Sequence, residues 1–142
     1  MTPAEKTRIL AERVMGWEVQ VTSDGVPVAV LRQDGYEVLM YLGITVWPGK
    51  TWDPLTNLSH AGEVLEAMAK KGWSARIATN ACDRRQNGCE FFRDYLGLGN
   101  NIFSGNYSKY GSNKRVSAVT KTIPTAICHA ALLAEGVKEE EL

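Results

Sequence analysis

Two Asp-Gly pairs, Asp24-Gly25 and Asp34-Gly35, separate three short apolar-rich runs at Trp17–Val21, Val26–Arg32 and Tyr36–Leu42. Aspartate tolerates positive φ and glycine favours it, so Asp-Gly suits the tight turns that join twisted strands. The stretches Ser23-Asp24-Gly25 and Gln33-Asp34-Gly35 therefore predict two hairpins and an antiparallel meander.

Helix signals flank this meander. Thr2-Pro3-Ala4-Glu5 reads as a helix start: Thr2 caps, Pro3 suits the first helical position and Glu5 completes a capping box. Ile9, Leu10 and Val14 share a face, and Gly16 suits a left-handed stop. Asn57 or Ser59 can cap a second helix through about Lys71, with an apolar stripe of Ala61, Val64, Leu65 and Met68 and Gly72 as its end. Trp73–Ile77 alternates like a strand, and Asn87-Gly88 predicts a tight turn with Glu90–Arg93 returning along it, which would set Cys89 opposite Gln86. Residues 94–114, rich in Gly, Asn and Ser, read as an irregular loop, followed by a strand over Val116–Lys121. Thr122-Ile123-Pro124 opens a last helix with Ile127, Ala130, Ala131 and Ala134 at core spacing, closed by Gly136. The expected fold is α+β, a largely antiparallel sheet with about three helices: one domain over residues 1–138 and a frayed acidic tail over 139–142.

A chain of 142 residues can bury roughly 70% of its unfolded surface without metals or disulfides. Cys82, Cys89 and Cys128 are an odd number without a Cys-x-x-Cys pair, which reads as reduced thiols. No window approaches the ~18 apolar residues of a membrane span, and the charged, helical N-terminus is unlike a signal peptide. A cytoplasmic protein is expected.

Three segments carry a resemblance: Leu10-Ala11-Glu12-Arg13-Val14-Met15-Gly16-Trp17, Trp52-Asp53-Pro54-Leu55-Thr56-Asn57-Leu58-Ser59-His60-Ala61, and Ile123-Pro124-Thr125-Ala126-Ile127-Cys128-His129-Ala130-Ala131-Leu132-Leu133. In this order they resemble the phage ABA sandwich domain family, small proteins of phages and prophages. Residues 18–46 and 94–115 diverge from that pattern. The resemblance implies the fold and a phage setting, and it brings no catalytic residues.

The loop Val46-Trp47-Pro48-Gly49-Lys50-Thr51-Trp52 contains Gly-Lys-Thr but is no phosphate-binding loop. The first glycine of that motif would fall at Ile44, and Asp53-Pro54 bars the helix that should follow. His60 and His129 belong to no metal motif and read as packing or capping residues; Cys128 and His129, adjacent on a helix, point apart and make a poor dyad. No cofactor is expected, and nothing in these motifs points to an enzyme.

Binding is better supported. Formal charge is zero, with 16 basic and 16 acidic residues, yet between Asp94 and Glu135 the formally charged residues are Lys109, Lys114, Arg115 and Lys121. Tyr107, Tyr110 and Asn113 are interleaved with them. Aromatic faces stack bases at ~1–3 kcal/mol each, and lysine and arginine meet phosphate. Arg84-Arg85 and the group Trp47, Lys50 and Trp52 add two further spots, although such tryptophans are more often plugs closing one end of a sheet. These residues form the expected binding set for a small anionic nucleotide. The cations make no helical stripe of the kind that reads DNA, so nucleic acid is not the expected partner.

Two functions follow from the sequence. One is a non-enzymatic sponge for a cyclic nucleotide signal of anti-phage defence, with sites shared in a homo-oligomer. The other is an interaction module that docks on a host or phage protein and takes no small ligand.

Overall fold

The first helix, α1 (Pro3–Ile9), starts where its cap is complete: Glu5 N–H donates to Thr2 Oγ1 at 3.2 Å and Thr2 N–H donates to Glu5 Oε2 at 2.7 Å. The computed structural model describes residues 1–43, 49–81, 86–93 and 114–142. From Leu10 to Val14 the helix widens into a π turn, with Met15 N–H donating to Leu10 O at 3.0 Å. Gly16, at φ +70°, closes it, and Trp17 N–H donates to Ala11 O at 2.9 Å. That closure spans one residue more than an α-helical end would, and the widening places Leu10, Ala11 and Val14 together in the core.

The meander follows as expected: β1 (Glu18–Val21), β2 (Pro27–Gln33) and β3 (Tyr36–Leu42), paired antiparallel. The two Asp-Gly pairs make different turns. Asp34 (φ +50°) and Gly35 (φ +83°) are both left-handed, the two-residue form, with Gln33 opposite Tyr36. In the first hairpin Gly25 alone is left-handed (φ +82°), and Gly25 N–H donates to Thr22 O in a three-residue loop.

The tryptophan loop is not wholly a loop. Lys50–Trp52 forms β4, parallel to β3, with Met40 beside Lys50 and Leu42 beside Trp52. This short strand completes a four-stranded sheet in the order β1-β2-β3-β4. Three residues carry too little periodicity to read as a strand; the free edge of β3 recruits them, and Gly43 N–H donating to Trp52 O at 2.9 Å secures the end.

Helix α2 (Leu58–Lys70) is capped by Asn57, whose Oδ1 accepts from His60 N–H at 3.1 Å. It ends at Gly72, φ +91°, in a Schellman closure: Trp73 N–H to Met68 O at 3.1 Å and Gly72 N–H to Ala69 O at 3.0 Å. The second sheet then follows, β5 (Ser74–Ala81), β6 (Gln86–Arg93) and β7 (Lys114–Thr120), antiparallel throughout with β6 in the centre.

Here one expectation is corrected. Asn87-Gly88 is no turn but lies inside β6, opposite Thr120 and Val119, and Cys89 faces Ile77 and Ala118 rather than Gln86. Pairing with β7 takes up the backbone groups that a local turn would use, and tertiary context overrides the dipeptide signal. The reversal between β5 and β6, with Cys82, lies outside the described residues, as does the expected irregular loop up to residue 113.

Helix α3 (Ile123–Ala134) is capped by Thr122 and ended by Gly136. The acidic tail is not frayed: Glu139–Glu141 forms a single 3-10 turn, and Leu142 packs against the core. One core joins all layers. It contains Leu10, Ala11 and Val14 of the first helix, Ala29, Leu42 and Trp52 of the first sheet, Val64 and Met68 of α2, Cys89 and Phe91 of β6, and the alanine-rich face of α3. Small residues at Ala126, Ala130 and Ala131 let α3 lie close to β6, β7 and α2. The first helix meets β1, β3 and α3. The fold is thus α+β, with three helices and two mostly antiparallel sheets among the described residues.

Candidate functional site

Adjacent phenylalanines on a strand must face opposite ways. Phe91 is fully buried with Cys89, and their β7 partners Val116 and Ala118 pack on the same core. Phe92 and Glu90 therefore project from the other face of the second sheet. Register sets Ser74 and Arg115 on either side of Phe92, and Arg76 and Ser117 on either side of Glu90.

Among the described residues, the resulting surface holds two cations, one ring and one carboxylate. The Arg76 guanidinium lies over the Phe92 ring, 5.8 Å from its centroid. Arg115 Nε is 3.6 Å from Glu90 Oε1, with side-chain exposures of 64% and 26%. An exposed ion pair at that distance holds Arg115 loosely, so the guanidinium can turn to an incoming anion. Val119, opposite Gly88, adds an exposed apolar side chain.

Of the residues expected from sequence, Arg115 stands on this face. Lys114 opens β7 opposite Arg93. Lys50 is exposed but belongs to β4 of the first sheet, so it does not join Arg115 on one sheet. Trp52 is corrected: it is 1% exposed and cannot face a ligand. Its Nε1–H donates to Glu63 Oε2 at 2.6 Å, and its ring meets Trp17 edge-on, centroids 4.8 Å apart. It is the plug that closes the first sheet. Trp47, Arg84, Arg85, Tyr107, Lys109, Tyr110 and Asn113 lie outside the described residues. Sequence reading missed Arg76, Glu90 and Phe92, although the Phe91-Phe92 doublet in a strand run already required one ring to lie outward.

Among the described residues, the histidines and thiols are engaged in structure. His60 Nδ1 accepts from Asp53 N–H at 3.0 Å, and His129 Nε2 lies 3.0 Å from Lys6 Nζ. Burial, and then the Lys6 charge, pull His129 below its usual range. Burial, and then Glu90, push the Cys89 thiol up to about 12. Burial also raises Cys128, with Asp53 adding to it, and its Sγ–H donates to Pro54 O at 3.2 Å. Thiols held so high supply almost no thiolate near neutrality. Among the described residues, no three His, Cys, Asp or Glu side chains gather as a metal site, and no helix is long and apolar enough to cross a membrane.

A concavity of about 500 Å³ lies between the end of the first helix and α2, lined by Arg13, Trp17, Glu63, Glu66, Lys70 and Lys71 among others. Its charges nearly balance, and Lys71 is already bound to Glu135 at 2.8 Å, so it offers an anion less than the sheet face does.

No characterised protein and no solved structure matches this chain. The sequence profile of the phage ABA sandwich domain does match, over residues 8–132 of the 142, from the end of α1 to the last turn of α3, and so includes both sheets and the face just described. The chain belongs to the phage ABA sandwich domain family.

Proposed function

We propose that this phage protein is a binding protein rather than an enzyme, and that it sequesters a small nucleotide-type signal of the cyclic kind made by bacterial anti-phage defence. The observation that carries this reading is the outer face of the second sheet, where Phe92 sits among Arg76 and Arg115. A ring for a base beside guanidinium groups for phosphate is the chemistry such a ligand requires. A sponge needs no nucleophile, and the raised thiols and engaged histidines fit that economy. Its place of action is the cytoplasm of the infected cell, where the signal is made. A flat sheet covers one side of a ligand only, so a second copy of the chain supplies the opposite wall in a homo-oligomer.

Isothermal titration against a panel of cyclic dinucleotides and cyclic mononucleotides tests this, with recovery of the ligand after denaturation. Saturable binding and intact recovered ligand are expected. No binding across the panel removes the proposal, and chemically altered ligand turns it into an enzyme.

One observation favours docking on a protein instead. The β2–β3 hairpin exposes Tyr36 at 76% and Leu39 at 50%, apolar surface that a partner would cover. Melting separates the two readings, because a ligand at about 100 times its dissociation constant stabilises by ~2.7 kcal/mol. A docking module would show no such shift with any nucleotide.

A further inference from the structure

The charged groups on this face differ in kind, and the difference selects among bases. A planar base adds about 3.4 Å to a stack, so a base between Phe92 and a guanidinium needs them about 6.8 Å apart. Arg76 stands 5.8 Å from the Phe92 centroid, on an exposed side chain free to lift by the missing ångström. The pair would open into a sandwich around the base. Arginine suits it and lysine does not, because the guanidinium is flat and weakly hydrated.

Glu90 precedes Phe92 by two residues on the same face, ~6.8 Å along the strand, within reach of the edge of a base stacked on the ring. Its carboxylate only accepts hydrogen bonds. Guanine presents two N–H donors side by side on its Watson–Crick edge, N1–H and the N2 amino group. Adenine presents an amino group beside a lone pair, which a carboxylate repels. Arg115 Nε faces one Glu90 oxygen at 3.6 Å, a loose contact that leaves acceptor positions of the carboxylate free for the base.

Building on the nucleotide reading above, we propose that the outer face of the second sheet selects guanine nucleotides. Arg76 and Phe92 sandwich the base, Glu90 reads its donor edge, and Arg115, only loosely paired with Glu90, turns to the phosphate.

Isothermal titration with cyclic GMP and cyclic AMP, and with cyclic di-GMP and cyclic di-AMP, tests this on the whole chain. Guanine forms should bind at least about tenfold tighter than adenine forms. Glu90→Gln should erase that preference. Phe92→Leu and Arg76→Lys should each weaken guanine binding about fivefold or more, Arg76→Lys with the charge kept. All three positions are at least partly exposed, and unchanged melting without ligand verifies folding of each variant. Equal affinity for both bases, or a preference that survives Glu90→Gln, overturns the guanine assignment while nucleotide binding stands. Absence of binding by every nucleotide overturns both.

Discussion

Lys6 points inward from α1, with its Nζ 3.0 Å from His129 Nε2 on α3. An ammonium group has only protons to offer, so the contact exists only while the imidazole is neutral. Burial first, and the Lys6 charge second, hold the folded-state pKa of His129 below the 6.5 of a free imidazole. The sign follows. Above about 6.5 the ring is neutral in folded and unfolded chains alike, and the contribution is fully present. As pH falls through 6.5 toward the lower folded value, the unfolded chain takes up a proton that the folded one resists, and stability is lost. Melting temperature is therefore expected to drop between pH 7.5 and 5.5, and His129→Gln to flatten that step. Lys6→Met should blunt it only in part, since burial, the larger cause, remains. Melting curves across this range check it; an equal slope in wild type and His129→Gln would sink the assignment. Trp52 makes a related point about single residues. From sequence its indole reads as a ligand wall or, more often, a plug, and the decision lies with Glu63, eleven positions on, which accepts its N–H at 2.6 Å.

Elements with local punctuation are the legible part of this chain. Thr2, Asn57 and Thr122 cap the helices that the sequence assigns to them, and Gly16, Gly72 and Gly136 all take positive φ at helix ends. These signals act within a few residues and so survive in one dimension. Elements defined by partners are not legible in that way. β4 exists because β3 has a free edge, and Asn87-Gly88 is strand because β7 pairs with it. The candidate site suffers the same loss: Arg76, Glu90 and Phe92 come from two strands, and only register brings them beside Arg115. Two glycines turn this contrast into a measurement. Gly136, at φ +89°, has nothing within 4 Å of an added Cβ, so Gly136→Ala carries backbone strain alone, about 1–2 kcal/mol. Gly88 has no positive φ, and its added Cβ would meet Ala118 O at an ordinary 3.6 Å. Gly88→Ala is accordingly expected to stabilise by up to about 1 kcal/mol, because a strand glycine loses more backbone freedom on folding than alanine and has no special conformation to protect. Urea unfolding of the two variants reads both values, and a large loss at Gly88 would restore the turn that the sequence first implied.

At the scale of the whole molecule, helices from both ends of the chain meet one core that also takes a face of each sheet. No layer has a hydrophobic centre of its own: α3 is needed to cover β6 and β7, and α1 meets both β3 and α3. Such a chain should unfold as one unit, and two of its thiols sit where they can report it. Cys89 is on β6 and Cys128 on α3, both buried and free. Burial raises both thiols, Cys89 to about 12, so a thiol reagent at pH 8 finds neither exposure nor thiolate in the folded state. Both should become reactive only through opening of the core. Labelling in increasing urea, followed by peptide mass spectrometry, is expected to modify Cys89 and Cys128 at the same rate and with the same urea dependence. If Cys89 reacts first, the second sheet peels from α3 before the rest, and the single cooperative core is wrong. Equal rates mean that the outer face bearing Arg76, Phe92 and Arg115 rests on a sheet as stable as the molecule itself, the rigid support that the proposed binding role calls for.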